Sequence, residues 1–168
     1  MRNMHGFIVG TVLTCLICVS CTQAPVGVID ARARNRLDSL ARDFELGKIA
    51  QIEVYQISLS KVFIASVSPE TLDLAWDCKV QIRHDLDLRR PKVASALRNA
   101  VVTSSSTPGD LRWKFAFYSA DAKELGVLYF DGLGRKGLVG NELVSYRMDF
   151  LFRLRQAVDP YFEILPQL

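Results

Sequence analysis

The stretch Leu111-Arg112-Trp113-Lys114-Phe115-Ala116-Phe117-Tyr118 carries the clearest alternation of apolar and polar residues in the chain. Successive side chains of a β-strand point to opposite faces of a sheet, so a repeat of two predicts a strand with one buried face. The odd-numbered residues are apolar and would lie in the core, whereas Arg112 and Lys114 would lie on the other face. This stretch predicts the most regular strand of a β-rich second half.

Further strand signals follow it. Val127-Leu128-Tyr129-Phe130 predicts the next strand, and the turn pair Gly140-Asn141 predicts a tight hairpin between residues 138–139 and 142–146. The aromatic residues could form either a ligand platform or the core, and at strand spacing the core is the more frequent outcome. We therefore expect a core role for Trp113, Phe115, Phe117, Tyr129 and Phe130.

The first half contains three β-prone segments between its helices. Residues 49–59 and 79–83 predict strands, and residues 62–65 would continue the first of these after a bend at 58–60. Residues 103–109 are small and polar and end in Pro108-Gly109, which predicts a solvated loop.

Apolar spacing and helix-boundary residues predict four helices. The first ends at Gly47 and would bury Leu37, Leu40, Ala41 and Phe44, which recur at i, i+3, i+4 and i+7. Ser68 would cap the second, which runs to Trp76, and Pro91 would open the third. The third would bury Val93, Ala94, Leu97, Ala100 and Val101. The last, residues 148–158, would stop at Pro160 and bury Leu151, Phe152 and Leu154.

The order of these elements indicates the fold class. Helices come first, and an antiparallel meander in the C-terminal half is followed by a terminal helix, which favours an α+β fold. Residues 32–168 would form a single domain with helices packed on one face of the sheet. No internal repeat is visible, and the length suits one hydrophobic core.

The N-terminal residues have the features of a secretory signal. Arg2 precedes an apolar run over residues 7–17, and small residues follow at Val19-Ser20. The run is shorter than the ~20 residues that a membrane-spanning helix needs. Cys21 directly after Ser20 resembles the lipobox of bacterial lipoproteins, although Cys18 stands where that motif usually has leucine.

We therefore divide the N-terminal region into two predicted parts. Residues 1–20 would be a signal peptide and residues 21–31 a lipidated tether, with the lipid on Cys21. Plain cleavage of the signal without lipidation is the alternative. On either account the protein is exported.

Composition narrows the possible partners. Loss of residues 1–20 would remove one of 21 Lys and Arg residues and none of 18 Asp and Glu residues, which leaves a net charge near +2. A mixed surface of this kind is not that of a nucleic-acid-binding protein. With Cys21 lipidated, Cys78 is the last cysteine, so no internal disulfide is expected and Cys78 would be a buried small hydrophobe.

No catalytic residue, cofactor or metal site is predicted. His84 is the single histidine outside the signal, and no Gly-x-Ser-x-Gly motif is present. Asp85 and Asp87 next to His84 could form a weak metal or acid–base site, but a surface position at a strand end is the simpler interpretation. Residues 132–137 match the glycine pattern of dinucleotide-binding turns, but a strand rather than a helix is expected to follow them.

That glycine-rich loop is the best candidate for a binding surface. Arg135 and Lys136 lie at its tip beside Gly134, and Asp131 lies at its base. Such a loop would present two cations to an acidic cleft on a partner, or it would be a solvated hairpin end. Trp76, at the end of a helix, is a second candidate contact.

The combination of residues 110–118 with Tyr129-Phe130-Asp131 and Gly134-Arg135-Lys136-Gly137-Leu138-Val139 gives a resemblance. It is similar to small exported proteins of Gram-negative bacteria, some of which resemble immunity partners of secreted toxins. The resemblance implies a non-enzymatic protein that binds and blocks one effector. By the same resemblance, Thr22 in place of aspartate after the lipidated cysteine implies an outer-membrane anchor facing the periplasm.

The leading hypothesis is thus a periplasmic lipoprotein that binds a protein partner as an immunity protein or inhibitor. A structural accessory of an envelope or secretion complex is the second hypothesis, and it predicts a partner that is present in every growth state. A small cell-wall hydrolase that uses carboxylates is the third, and it predicts turnover by the purified protein.

Overall fold

The computed structural model describes residues 28–147 and 149–158. The helices in these residues are α1 (Ala31–Glu45), α2 (Pro69–Ala75), α3 (Leu86–Arg98) and α4 (Phe150–Val158). The strands are β1 (Gln51–Gln56), β2 (Cys78–Ile82), β3 (Val102–Ser104), β4 (Leu111–Tyr118), β5 (Glu124–Asp131), β6 (Lys136–Val139) and β7 (Glu142–Tyr146). The predicted signal peptide, Cys21, tether residues 22–27, Met148 and Pro160 lie outside the described residues.

The seven strands form one antiparallel sheet in the order β2-β1-β4-β5-β6-β7-β3. Strands β4 to β7 are the meander expected in the C-terminal half, and the α+β fold class is confirmed. Val139 pairs with Glu142 across the predicted tight turn. Gly140 has a φ of +60°, the positive value that the first central residue of a type II′ turn requires.

The main core lies between one face of the sheet and helices α1, α3 and α4. Phe117 packs edge-on against Phe44 of α1 at 5.6 Å, and Phe115 packs edge-on against Phe130 at 5.7 Å. The predicted apolar face of α1 is fully buried. Gly47, two residues after the end of α1, has a φ of +71° and prevents the helix from continuing. No helix among the described residues is long and apolar enough to cross a membrane.

The opposite face of the sheet carries a smaller core under α2. Ser68 caps α2 as expected, and Leu72 packs with Ile57, Val67, Leu111 and Tyr129. Leu111 joins this second cluster because a shift of register between Leu111 and Trp113 interrupts the alternation of β4. Beyond that irregularity Trp113, Phe115 and Phe117 face the helices, and Lys114 faces α2.

Two helix predictions were wrong in detail. Helix α3 begins at Leu86 and contains Pro91, because the carbonyl oxygen of Asp85 accepts the N–H groups of Leu88 and Arg89 and starts the first turn. In α4 the buried face is Phe150, Leu151, Leu154, Ala157 and Val158, so Phe152 points away from the sheet and is 52% exposed. Val101 is also exposed, since α3 ends at Arg98 and Val102 takes the buried position.

Three strand and loop predictions also change. Residues 62–65 do not form a strand: the carbonyls of Ser58 and Lys61 just before them are bound by Arg112 of β4, and the Phe63 side chain packs on the smaller core. Strand β3 takes Thr103 and Ser104 from the predicted solvated loop. Cys78 is partly exposed rather than buried, because β2 lies at the edge of the sheet.

Candidate functional site

A tight hairpin loop joins β5 to β6. The Asp131 carboxylate accepts a hydrogen bond from the Arg135 backbone N–H at 2.8 Å, and the Gly134 N–H donates to the Asp131 carbonyl at 3.1 Å. Gly134 has a φ of +68°, which favours glycine. Because β6 follows directly, the glycine-rich stretch is a hairpin loop and not the start of a phosphate-binding helix.

The predicted loop residues differ in their access to a partner. Arg135 and Lys136 are exposed, and no carboxylate in the described part of the chain forms an ion pair with either. Lys136 Nζ donates instead to Thr107 Oγ1 at 3.1 Å. Gly134 is buried against Leu151, so its role is to form the turn. Asp131 is half-buried and holds the loop in place.

The segment at residues 58–66 exposes large apolar side chains next to this loop. Val62 is 91% exposed and Ile64 is fully exposed, while Leu59 is 55% exposed. Phe63 between them points inwards and contacts the smaller core. A segment with two almost fully solvated aliphatic side chains differs from an ordinary polar loop.

Arg112 holds this segment in its conformation. The guanidinium Nη1 donates to the carbonyl oxygens of Ser58 and Lys61 at 3.0 and 2.8 Å. Its Nε and Nη2 donate to Asp110 at 2.9 and 2.5 Å, and its carbon lies 5.2 Å from the Phe63 ring centroid. Arg112 is only 7% exposed, so the apolar side chains project from a braced backbone.

The segment connects the hairpin loop to the end of α2. Leu59 lies against Gly132, where an added Cβ would be 2.7 Å from its Cδ2 atom. Lys61 Nζ lies 2.8 Å from a carboxylate oxygen of Asp77, the residue that follows Trp76 in the chain. Trp76 is 42% exposed and packs edge-on against Tyr55 at 6.0 Å. The sequence candidates therefore lie at the same end of the sheet as this segment. We call residues 58–66, 131–136 and Trp76 together the loop-end surface.

A buried charge network supports α2 beside this surface. Lys114 Nζ lies 2.6 Å from Asp73 of α2 and close to the faces of the Tyr55 and Tyr129 rings. Glu53 accepts hydrogen bonds from Tyr55 at 2.5 Å and Gln81 at 3.0 Å, and it pairs with Lys79 at 3.0 Å. Lys114 and Glu53 are each 7% exposed.

Ionisation within the network is set by burial and by its hydrogen bonds. Burial disfavours the Glu53 carboxylate, but hydrogen bonds from Tyr55, Lys79 and Gln81 outweigh it and hold the pKa of Glu53 below its usual value. Burial, followed by the Glu53 carboxylate, raises the pKa of Tyr55. Burial and Glu53 also raise the pKa of Tyr118 to about 12. Glu53 is thus ionised and both tyrosines are neutral at physiological pH.

The remaining sequence candidates lie apart from this surface. His84 is exposed directly after β2. Among the described residues, no group of three or more His, Cys, Asp or Glu side chains is placed to hold a metal ion. The predicted core role is confirmed for the aromatic residues of β4 and β5, although Tyr129 faces α2 while the other four face the helical layer.

Sequence reasoning missed both the exposed segment and the buried cations that support it. Residues 62–65 have a strand-like composition, which concealed their exposure. One signal was available: Arg112 and Lys114 lie in a central strand, where a charged side chain needs an acceptor or an acidic partner close by. Comparison with family models, with curated proteins and with solved structures finds no match to this chain.

Proposed function

We propose that this chain is an exported, lipid-anchored protein that binds a protein partner through the loop-end surface. The N-terminal pattern supports export and attachment through Cys21. The exposed apolar residues of the loop-end surface support a binding role, as do its two cations, which have no carboxylate partner among the residues that the structure describes. In this proposal the protein acts as an inhibitor or immunity protein in the periplasm, and it blocks its partner by covering the partner's surface.

The observation that carries the proposal is the exposure of Val62 and Ile64 on a braced segment. Exposed aliphatic side chains gain nothing from the hydrophobic effect until another surface covers them. The buried Arg112 guanidinium has lost its hydration and donates instead to two backbone carbonyls of this segment. In a loop without this arginine, water would bind those carbonyls. Exposed apolar clusters with polar rims mark interaction sites in soluble proteins.

The charges beside the apolar residues indicate the chemistry of the partner. Arg135 and Lys136 have no carboxylate partner in the described residues and lie on the hairpin that Leu59 touches. A partner segment with an apolar centre and acidic side chains at its rim would cover Val62 and Ile64 and pair with both cations. Apolar centres with charged rims are common at protein interfaces, where the rim charges favour correct encounter.

The test is capture of the partner by the full-length protein, extracted from the envelope of its own bacterium in mild detergent. Mass spectrometry identifies proteins that bind in roughly equal amount to the bait. The same capture is repeated with Val62→Ser/Ile64→Ser and with Arg135→Ala/Lys136→Ala. Matched controls are Leu88→Ser, whose side chain is 79% exposed on α3, and Arg42→Ala/Lys123→Ala, which removes two exposed cations elsewhere.

The proposal expects one secreted toxin or hydrolase whose capture is lost with both test variants and kept with both controls. With purified proteins, both test variants should bind the partner more weakly than the natural protein, and both controls should bind it equally well. The partner's activity should fall when it is bound. If all four variants captured the same protein equally well, the loop-end surface would not be its binding site. A set of resident envelope subunits would instead favour an accessory role.

A further inference from the structure

The two edges of the sheet differ in whether they are covered. At the β3 edge, residues 28–30 lie alongside the strand: the Ser104 N–H donates to the Val28 carbonyl at 3.1 Å, and Ile29 bridges to Thr103. At the other edge, β2 pairs with β1 on its inner side, and no other described segment pairs with its outer side. The β2 edge therefore offers a row of backbone donors and acceptors.

The residues along this edge are complementary to a reversed copy of themselves. If two β2 strands meet antiparallel with Val80 opposite Val80, then Cys78 stands opposite Ile82 and Lys79 opposite Gln81. One position further out, Asp77 stands opposite Arg83, and this pair occurs twice by symmetry. Apolar residues thus meet apolar residues on one face, and opposite charges meet on the other.

Neighbouring symmetric registers lack this complementarity. Centring the pair on Lys79 places two lysines directly opposite each other. Centring it on Gln81 places Lys79 opposite Arg83 twice. Like charges directly opposite each other destabilise a strand pair, so the edge favours the register centred on Val80.

The side chains involved are accessible. Asp77 accepts hydrogen bonds from Lys61 Nζ at 2.8 Å and from the Ser58 N–H at 2.9 Å, and its side chain remains 40% exposed. Arg83 uses Nε to donate to Gln51 at 2.6 Å, and its two Nη groups have no hydrogen-bond partner among the described residues. Val80 is half-buried, so a second strand would cover its remaining surface.

We propose that the protein forms a symmetric dimer through antiparallel pairing of β2 with β2 of a second copy, centred on Val80. The pairing makes one continuous sheet across both copies. The β2 edge adjoins the loop-end surface at Asp77, which binds Ser58 and Lys61, but the strand pairing itself does not depend on the proposed partner.

Cysteine substitution tests the register in the full-length protein in its own membranes. In a Cys78→Ser background, Val80→Cys places two sulfurs on residues whose Cα atoms would be ~4.5–5.5 Å apart, which is within disulfide range. Lys79→Cys places its two copies diagonally, ~7–8 Å apart, beyond that range. The Cys78→Ser parent is the control, because any disulfide-linked dimer that it forms must arise from the N-terminal cysteines.

The proposal expects an oxidised dimer with Val80→Cys and none above the parent with Lys79→Cys. A dimer with Lys79→Cys alone would overturn the register, and no dimer with either would overturn the pairing. A charge reversal tests the same geometry without cysteine. Arg83→Asp should raise the dimer dissociation constant roughly tenfold, because like charges then oppose each other twice. Equal association by the natural protein and by Arg83→Asp, measured by analytical ultracentrifugation in detergent, would also overturn the proposal.

Discussion

Lys114 Nζ lies 2.6 Å from the Asp73 carboxylate and joins the centre of the sheet to α2. The lysine side chain is 9% exposed and the aspartate side chain 44% exposed, so the pair spans the boundary between the smaller core and solvent. A half-buried pair of this kind fixes the position of a short helix that has only one fully buried residue, Leu72.

Asp73→Asn should therefore lower the free energy of unfolding by about 1–3 kcal/mol, because it leaves a buried ammonium group without its carboxylate. Lys114→Met should lower it less, since the apolar chain keeps its contacts with Tyr55 and Tyr129. Urea unfolding measures both. Glu45→Gln, which breaks an exposed pair with Arg98, is the control and should change little. Equal effects of the three substitutions would show that the Lys114 pair has no special role.

Arg112→Met should release residues 58–66 while the sheet remains folded. It removes charged hydrogen bonds to two backbone carbonyls and to Asp110, which together contribute about 2–3 kcal/mol. Hydrogen exchange of the amides in residues 58–66 should accelerate, and a lower free energy of unfolding should accompany it. Arg147→Met, at an arginine whose side chain is 70% exposed, is the matched control. Unchanged protection of residues 58–66 would mean that another contact braces them.

Glu53 should make stability depend on pH in the acid range. Its folded-state pKa lies below the usual value of 4.5, so its contribution is fully present above that value and is lost as the pH falls through the folded pKa. Glu53→Gln should be less stable than the natural protein at neutral pH, and the difference should shrink as the pH falls below 4.5. Other carboxyls also titrate there, so the difference between the two proteins is the quantity to measure. A difference that stays constant down to the acid limit would contradict the assignment.

Cys21→Ser should abolish metabolic labelling with palmitate and shift the protein from the membrane fraction to the soluble fraction. Intact-mass measurement of the natural protein should show a mature chain that begins at Cys21 with an added lipid. Cys78→Ser, the control, should keep label and location. If the natural protein is cleaved but carries no label, the alternative of simple export holds.

Local patterns predicted the parts of the fold that depend on neighbouring residues. The apolar face of α1, the Ser68 cap, the β6–β7 turn and the faces of Phe115 and Phe117 all follow from spacing or from turn chemistry. These features depend on residues only a few positions apart in the chain. Their apolar side chains need an apolar surface to pack against, but any such surface would serve.

The errors occur where distant residues decide the outcome. Residues 62–65 are rich in strand-forming residues, yet the conformation of this segment is determined by its contacts with Arg112. That arginine lies 51 residues beyond Lys61 in the chain. The sequence predicts part of the binding surface: Arg135, Lys136 and Trp76 are exposed at one end of the sheet. It predicts a strand for Val62 and Ile64, which are instead exposed in a loop. Which strand lies at an edge also depends on the whole sheet, and this determines the partial exposure of Cys78.

Residues 28–30 cover the β3 edge, so within residues 28–147 and 149–158 the β2 edge is the one left without a paired strand. If β2 pairs with β2 of a second copy as proposed, that pairing would use the remaining edge of each copy. Removal of these residues would leave every copy with a second free edge, and strand pairing could then continue from copy to copy without closure. On the proposed pairing, this three-residue segment would thus separate a closed dimer from an open-ended fibre.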